Sequence, residues 1–361
     1  MNDANELISF IASMSGEGNL RVEENLGEGY VRLRVSEAER RQAKHDIQHV
    51  EDIVIEMLRN ARDAGADKVY LATTKEEGVR TLLFLDNGSG VPQDMQERIF
   101  DARVTSKLES MKMDRWGVHG RGMALFSIKQ NTDEARIVTS GVDLGSAFKV
   151  CVATDRLGER ADQSSWPQAV KDEDGRYVCA RGPHNIIRAA CEFALEELRS
   201  CDVYLGSPSE IAATLYAQAS SRLDTSRLLF IDDERELPVI DRLGLASDAE
   251  DFIRICSGLG LEMSERTAHR ILSGQIKPVR GVSARLLRER DSTSHAPAPV
   301  DLAKDRRGLR IAKDDMAQFS RAVERDFNDL AARYYLNLCG DPKIRVSRDR
   351  ITVTFDLAKE E

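Results

Sequence analysis

The chain has 361 residues, of which 41% are hydrophobic and 31% charged, and its formal net charge is −9. That profile belongs to a globular protein with room for two or three domains, and it excludes one that coats nucleic acid with its whole surface. No apolar run approaches the roughly 20 residues of a membrane span. The N-terminal MNDANELISFIASMSG lacks the basic start and apolar core of a secretion signal, so a cytoplasmic protein is expected. Cys151, Cys179, Cys191, Cys201, Cys256 and Cys339 form no C-x-x-C pair and stand at no metal spacing from histidine. Reduced thiols without zinc are expected.

In chain order, GYVRLRV (29–35) reads as a strand, and Ser36 with Glu39 makes a capping box that opens a helix running to a stop at Gly65. KVYLATT and RTLLFLD, separated by the charged KEEG, read as a hairpin. Residues 93–116 are polar and poorly periodic, as in a long loop or lid. A short helix (Met123 to Lys129) follows, then the strands ARIVTS and SAFKVCVATD, with the β pattern continuing through YVCARGPHNIIRAA. From about residue 205 the period becomes helical. SPSEIAATLYAQASSRL opens at Ser207 or Ser209, and a second helical stretch is DAEDFIRICSGLGLEMSERTAHRILSG. DSTSHAPAPV (291–300) has linker composition, and the end reads as one helix (Asp314 to Leu338) followed by the hairpin KIRVSRDRITVTFDL.

Three pieces of this pattern carry chemistry. In EMLRNARDAGA, Glu56, Asn60 and Asp63 fall within about one-sixth of a turn of each other on a helix, with apolar residues opposite. Alone, that stripe reads as the solvent face of an amphipathic helix. In LFLDNGSGVP a strand delivers Asp86 to a turn containing Gly88 and Gly90. A carboxylate accepts hydrogen bonds only, which suits an exocyclic amine such as that of adenine, while neighbouring glycines admit a flat base; a plain turn is the alternative. In RWGVHGRGMALFSI, Gly117, Gly120 and Gly122 precede a helix, with Thr105, Lys107 and Arg121 nearby in sequence. Backbone amides in such a run make an anion site, although no G-K-[ST] follows as in a Walker loop.

Jointly, E-x-x-x-N-x-x-D-A-G, D-x-G-x-G, T-S-K and G-x-x-G-x-G resemble the GHKL ATPase superfamily of gyrase, the large heat-shock chaperone, histidine kinases and MutL. NARDAGA and VTSKL are nearest in flavour to MutL and the type VI topoisomerase B subunit, and the resemblance covers residues 45–150, extending toward 205. It implies a Bergerat-type α/β domain, a two-layer sandwich whose mixed, mainly antiparallel sheet carries helices on one face. It also implies ATP and Mg²⁺ as ligands, with Glu56 as the general base for the attacking water and Asn60 as the Mg²⁺ ligand. Asp63 joins the nucleotide-binding set, as do Thr105, Lys107 and Arg121. Asp86 would take the adenine amino group, with Gly88 and Gly90 shaping the base pocket and Gly117, Gly120 and Gly122 closing over the phosphates. DLGSAF matches the family's last motif, so Ser146 would support Asp86 through water, with Thr139 as competitor. Gly122 supplies a last glycine that MutL's own motif lacks, and Lys277 and Lys304 compete for the family's phosphate-sensing lysine.

The expected organisation is an ATP-binding domain over 1–205, a helical domain over 206–290, a linker over 291–300 and a helix plus β-hairpin over 301–361. The expected activity is Mg²⁺-dependent ATP hydrolysis driving homodimerisation, acting on DNA or a DNA-bound partner, with a protein client as a further option. Residues 264–290 hold seven basic and two acidic side chains, a local +5, and GLEMSERTAHRILSG has the look of a DNA-reading helix–turn–helix. A helix pair with solvated arginines explains the same residues. A histidine- or serine-kinase-like role is the runner-up, although His45 and His49 read as helix-surface residues without dimerising helices upstream. A non-hydrolysing ATP-gated module is the third reading.

Overall fold

The computed structural model describes residues 22–106, 112–114, 117–119, 122–222, 233–287, 313–331, 336–346 and 351–359. The chain divides into two compact units, residues 1–288 and 289–361.

The first unit opens with the antiparallel strands β1 (Val22–Gly27) and β2 (Tyr30–Leu33). Ser36 and Glu39 form the expected capping box and start α1 (Glu37–Asp46). The single helix expected up to Gly65 is in fact two. The chain turns extended at Ile47, which is thereby buried, and the amides of Gln48 and His49 both donate to Asp52 Oδ2 at 2.8 Å as α2 (Val50–Asp63) begins. Next comes the hairpin of β3 (Lys68–Glu76) and β4 (Val79–Asp86). Its two turn residues, Glu77 and Gly78, have φ of 47° and 82°, the left-handed pair of a type I′ turn.

The first half of the expected lid is a packed segment. Single helical turns at Gln93–Met95 and Arg98–Phe100 bury Met95, Ile99 and Phe100, and β5 (Val104–Thr105) adds to β2. The hairpin of β6 (Lys112–Asp114) and β7 (Gly117–His119) leads to α3 (Ala124–Asn131), then β8 (Glu134–Ser140) and β9 (Ser146–Ala153). A small hairpin follows, β10 (Gln168–Lys171) with β11 (Tyr177–Arg181). There the expected β pattern stops, and IIRAACEFALE forms α4 (Ile186–Glu196) instead. Asn185 decides the change. Its Oδ1 accepts the Arg188 amide at 2.8 Å, capping the helix, while its Nδ2 donates to the carbonyls of Asp162 and Ser165.

β12 (Asp202–Gly206) pairs in parallel with β3 and completes a five-stranded sheet of order β12-β3-β4-β9-β8, antiparallel elsewhere. Ser207, reciprocally bonded to Glu210, opens α5 (Pro208–Arg222), so Ser207 rather than Ser209 is the cap. α6 (Ala249–Gly258) and α7 (Glu265–Leu272) follow.

The sheet is buried on both faces. Val69, Leu71, Leu82, Phe84, Phe148 and Val150 face α2 and α4, giving the expected sandwich. Tyr70, Ala72, Leu83, Leu85 and Ala147 face the other way, onto Ile211, Leu215, Phe252, Ile255 and Ile271. Residues from the stretch read as a separate helical domain thus add a third layer on the same sheet. At about 25 cal/mol per Å² of apolar area removed from water, two such faces dominate the unit's stability.

In the second unit, α8 (Lys313–Ala331) ends seven residues before Leu338, where the expected helix ends. Leu336–Leu338 is instead a strand, β13, because its backbone pairs antiparallel with β16 (Leu357–Lys359). β14 (Lys343–Val346) and β15 (Ile351–Thr354) form the expected hairpin. Phe327 on α8 stacks on Phe355 with ring centroids 4.0 Å apart.

Candidate functional site

Helix α2, the ends of β4 and β9, the β5 segment and the start of α3 enclose a cavity of about 610 Å³. That volume falls within the usual range for small-molecule sites.

One wall is α2. Its apolar stripe of Val50, Val54, Met57, Leu58 and Ala61 holds it on the core, which turns Glu56, Asn60 and Asp63 toward the cavity. The Glu56 carboxylate receives Arg59 Nη1 at 2.7 Å, one turn along the same helix. Asp63, 2% exposed in its side chain, receives Arg62 Nε at 3.0 Å, and Arg62 reaches on to Glu197 at 3.3 Å. The stripe is therefore the lining of a cleft rather than a solvated face.

The floor is the end of β4. Asp86 is 4% exposed and pairs in register with Ser146 at the start of β9. Its Oδ1 accepts the Gly88 amide at 2.8 Å. The following turn is bracketed from both sides. Asn87 Oδ1 accepts the amides of Asp67 and Lys68, and the Ser89 amide donates to Ala64 O at 2.8 Å, tying the turn to the end of α2. Gly88 lies so close that a Cβ there would stand 2.9 Å from Ala64. Gly90 (φ 68°) and Gly145 (φ 77°) make the tightest approaches. A Cβ on Gly90 would lie 1.8 Å from Gly141 O, and one on Gly145 would lie 2.0 Å from Asp86 O. Only glycine lets these two turns nest.

Ser146 Oγ lies 2.9 Å from Ser140 Oγ, and Ser140 Oγ accepts the Val91 amide at 2.8 Å. Thr139 is engaged elsewhere, receiving Arg242 Nη1 at 2.8 Å from the third layer. Of the two competitors, Ser146 stands with Asp86 on the cavity.

Thr105 and Gly122 also line the cavity, and the Arg103 amide donates to Gly122 O at 2.8 Å. Gly117 lies in β7, paired with Asp114. Lys107, Gly120 and Arg121 lie outside the described residues, as does Lys304. Lys277 is exposed between α7 and the helical run 282–287. His49 caps α2 with its ring 3.9 Å from Asp52, and His45 is exposed on α1.

The cavity residues that escape the motif reading include Tyr30, Glu39, Arg59 and Arg103. Burial pushes the Tyr30 phenol up, and the Ser36 amide, with Arg103 adding to it, holds the Glu39 carboxyl below its usual range. Arg59 could have been found from its i+3 spacing to Glu56. Tyr30, Glu39 and Arg103 reach the site only through tertiary contacts.

Among the described residues no three His, Cys, Asp or Glu side chains are arranged to hold a metal. Mg²⁺ held mostly by phosphate oxygens and water needs one or two protein oxygens, which Asn60 and its carboxylate neighbours can supply. No helix of the described residues is long and apolar enough to cross a membrane.

This arrangement defines a class. Residues 47–147 match the family model described as histidine kinase-, DNA gyrase B- and HSP90-like ATPase, so this part of the chain is similar to the GHKL ATPase superfamily. Within it, the chain is similar to the DNA mismatch repair protein MutL. It is 34% identical to MutL of Brucella abortus over 112 residues, covering 31% of this chain and 18% of that relative. With MutL of Thermodesulfovibrio yellowstonii it shares 32% identity over 107 residues, 29% of this chain and 19% of the relative. MutL of Pediococcus pentosaceus is 31% identical over 115 residues, 31% of this chain and 17% of the relative. The match spans less than a fifth of the length of these proteins.

The nested glycines yield a direct check. Gly90→Ala should lower stability by about 1–3 kcal/mol or more, because the new Cβ forces backbone apart at a left-handed position. Gly158→Ala, whose Cβ meets nothing within 4 Å, should stay within about 0.5 kcal/mol. Urea midpoints measure both, and equal midpoints would contradict the close turn-to-turn packing.

Proposed function

We propose that the chain is a Mg²⁺-dependent ATPase of GHKL type whose nucleotide state controls self-association and, through it, contact with DNA or a DNA-bound partner. The observation that carries this reading is the convergence of Glu56, Asn60, Asp63, Asp86, Thr105, Gly122 and Ser146 on one cavity. These residues come from motifs spread over ninety positions.

In this reading Asp86 accepts the adenine amino group, with Ser146 beside it. Asn60 would supply a protein oxygen to Mg²⁺, and the bound ion would offset the charge of the phosphates. Gly117 and Gly122 would meet the phosphates with Thr105 and Asp63 on the wall, and Lys107, Gly120 and Arg121 are assigned to the same nucleotide-binding set by their motifs. Glu56 takes the proton of the attacking water. Phosphoryl transfer asks for positioning and charge neutralisation more than covalent chemistry, so this set of groups suffices. The Glu56 carboxylate is one turn from Asn60 on the same helix face, the spacing that lets one helix address both water and metal.

Glu56→Ala should retain ATP binding while slowing turnover by about 10²–10⁴-fold. A phosphate-release assay beside a binding titration checks it. Equal turnover in parent and variant would remove Glu56 from the chemistry, and a parent that binds ATP without turning it over would make the chain a nucleotide-gated module.

The DNA part of the proposal draws on the similarity to MutL and on the basic stretch. In α7, Ala268 and Ile271 are buried in the third layer while Arg266 and Arg270 face solvent, and Arg280 is exposed beyond it. Binding that neutralises phosphates releases counterions, with a slope of about −0.9 per phosphate on duplex DNA. Changing Arg266, Arg270 and Arg280 together to Ser should flatten the salt dependence of duplex binding by about three units. Anisotropy titrations across a salt series, with and without a non-hydrolysable ATP analogue, measure it. No binding by the parent at low salt in either state would exclude DNA as the partner and leave a protein client.

A further inference from the structure

Arg103 occupies an unusual place. Its φ of 63° is uncommon for a residue with a long side chain. Its backbone is clamped on both sides: its amide donates to Gly122 O at 2.8 Å, and its carbonyl accepts the Leu33 amide at 3.0 Å. A Cβ added to Gly122 would stand 2.8 Å from Val104 O and 3.1 Å from Arg103 C, so the last glycine of the G-x-x-G-x-G run lies directly on this segment. The backbone therefore delivers the Arg103 guanidinium to the glycine end of the cavity, which Arg103 lines.

The side chain is 9% exposed and forms an ion pair through Nη2 with Glu39 of α1. Its Nε has no hydrogen-bond acceptor among the described residues. A guanidinium carries five donors in a planar fork suited to two oxygens of one anion. Among the described residues one carboxylate oxygen meets this fork and Nε meets no acceptor, in a setting where burial makes an unused donor costly.

Glu39 is differently placed. Its side chain is 38% exposed, and its other oxygen, Oε2, already accepts the Ser36 amide at 2.8 Å and the Ser36 hydroxyl at 3.0 Å. Losing Arg103 would return one oxygen of Glu39 to water and leave its capping box whole. Losing Glu39 with no replacement would strand a buried cation. The pair is thus asymmetric, with an anchored cation and an exchangeable anion.

We propose that Arg103 is a polyphosphate-binding residue of the nucleotide site, and that Glu39 is its stand-in ligand, displaced when phosphate arrives. This rests on the reading of the cavity as an ATP site. Glu39 then acts as an internal competitor that weakens nucleotide affinity, and nucleotide binding severs the tie between α1 and the β5 segment.

The two partners give opposite signs. Calorimetric titrations of the full chain with ATP, ADP and adenosine, all with Mg²⁺, compare the parent with Arg103→Gln and Glu39→Gln. Gln at the third helical position can keep the capping box through its one acceptor oxygen, so Glu39→Gln removes the competing charge and leaves Arg103 without a carboxylate until phosphate arrives. Arg103→Gln should weaken ATP by about tenfold or more, the scale of hydrogen bonds to a charged group, and leave adenosine within about twofold. Glu39→Gln should tighten ATP and ADP severalfold with adenosine unchanged. ATP and adenosine weakening by one common factor in a folded Arg103→Gln, or weaker ATP binding in Glu39→Gln, would overturn the assignment while leaving the ATP site standing. If Arg103→Gln fails to fold, Glu39→Gln decides alone. A parent that binds none of the three would remove the ATP reading and this one together.

Discussion

A buried carboxylate at the end of β4 constrains everything around the cavity. Removing an ionised carboxylate from water is costly unless donors meet it. Asp86 is 4% exposed and receives the Gly88 amide two residues on. For that amide to turn back, the chain must curl tightly, and the curl must pass between the end of α2 and the β8–β9 turn. Gly88 faces Ala64, Gly90 faces Gly141, and Gly145 faces Asp86 itself. The register of β4 with β9 places Ser146 opposite, and the Ser89 bond to Ala64 holds the acidic face of α2 above. The turn after Asp86 is thereby tied to the end of the helix that carries Glu56, Asn60 and Asp63.

The sheet that carries Asp86 is also the partner of the third layer. Odd and even positions of β3 and β4 divide cleanly between the two cores: Val69, Leu71, Leu82 and Phe84 on one side, Tyr70, Ala72, Leu83 and Leu85 on the other. Arg242, buried in the third layer, donates to Thr139 on β8 next to Ser140, whose hydroxyl meets Ser146. Neighbouring residues of β8 are thus tied separately, Thr139 to the third layer and Ser140 to the cavity floor.

Local signals survived folding well where they were chemical. The Ser36 capping box, the β3–β4 hairpin and the acidic stripe of α2 were legible because cap, turn and period each act over a few residues. The polar spelling of 93–105 conceals Met95, Ile99 and Phe100, whose burial depends on partners far away in the chain. NIIRAACEFALE contains β-branched residues that suggest a strand, yet Asn185 caps a helix through the Arg188 amide while bonding Asp162 and Ser165, which stand 23 and 20 positions upstream. The unbroken apolar runs of KVYLA and LLFL signal a sheet covered on both faces, a feature of the sequence that points to the third layer. Part of the cavity's charge lies on residues outside the motifs, with Arg59 paired to Glu56 and Arg103 paired to Glu39, and the Arg103 pair forms only through contacts distant in the chain.

The role of Asp86 as the acceptor that chooses adenine is the central claim, and base selectivity tests it most directly. Competition titrations should compare ATP with GTP, which presents a carbonyl where adenine presents an amine, in the parent and in Asp86→Asn. The account expects the parent to prefer ATP by at least about tenfold and Asp86→Asn to lose about 1–3 kcal/mol of ATP binding, narrowing or abolishing the preference. Equal affinity of the parent for ATP and GTP, or an Asp86→Asn variant that keeps both the affinity and the preference, would contradict it.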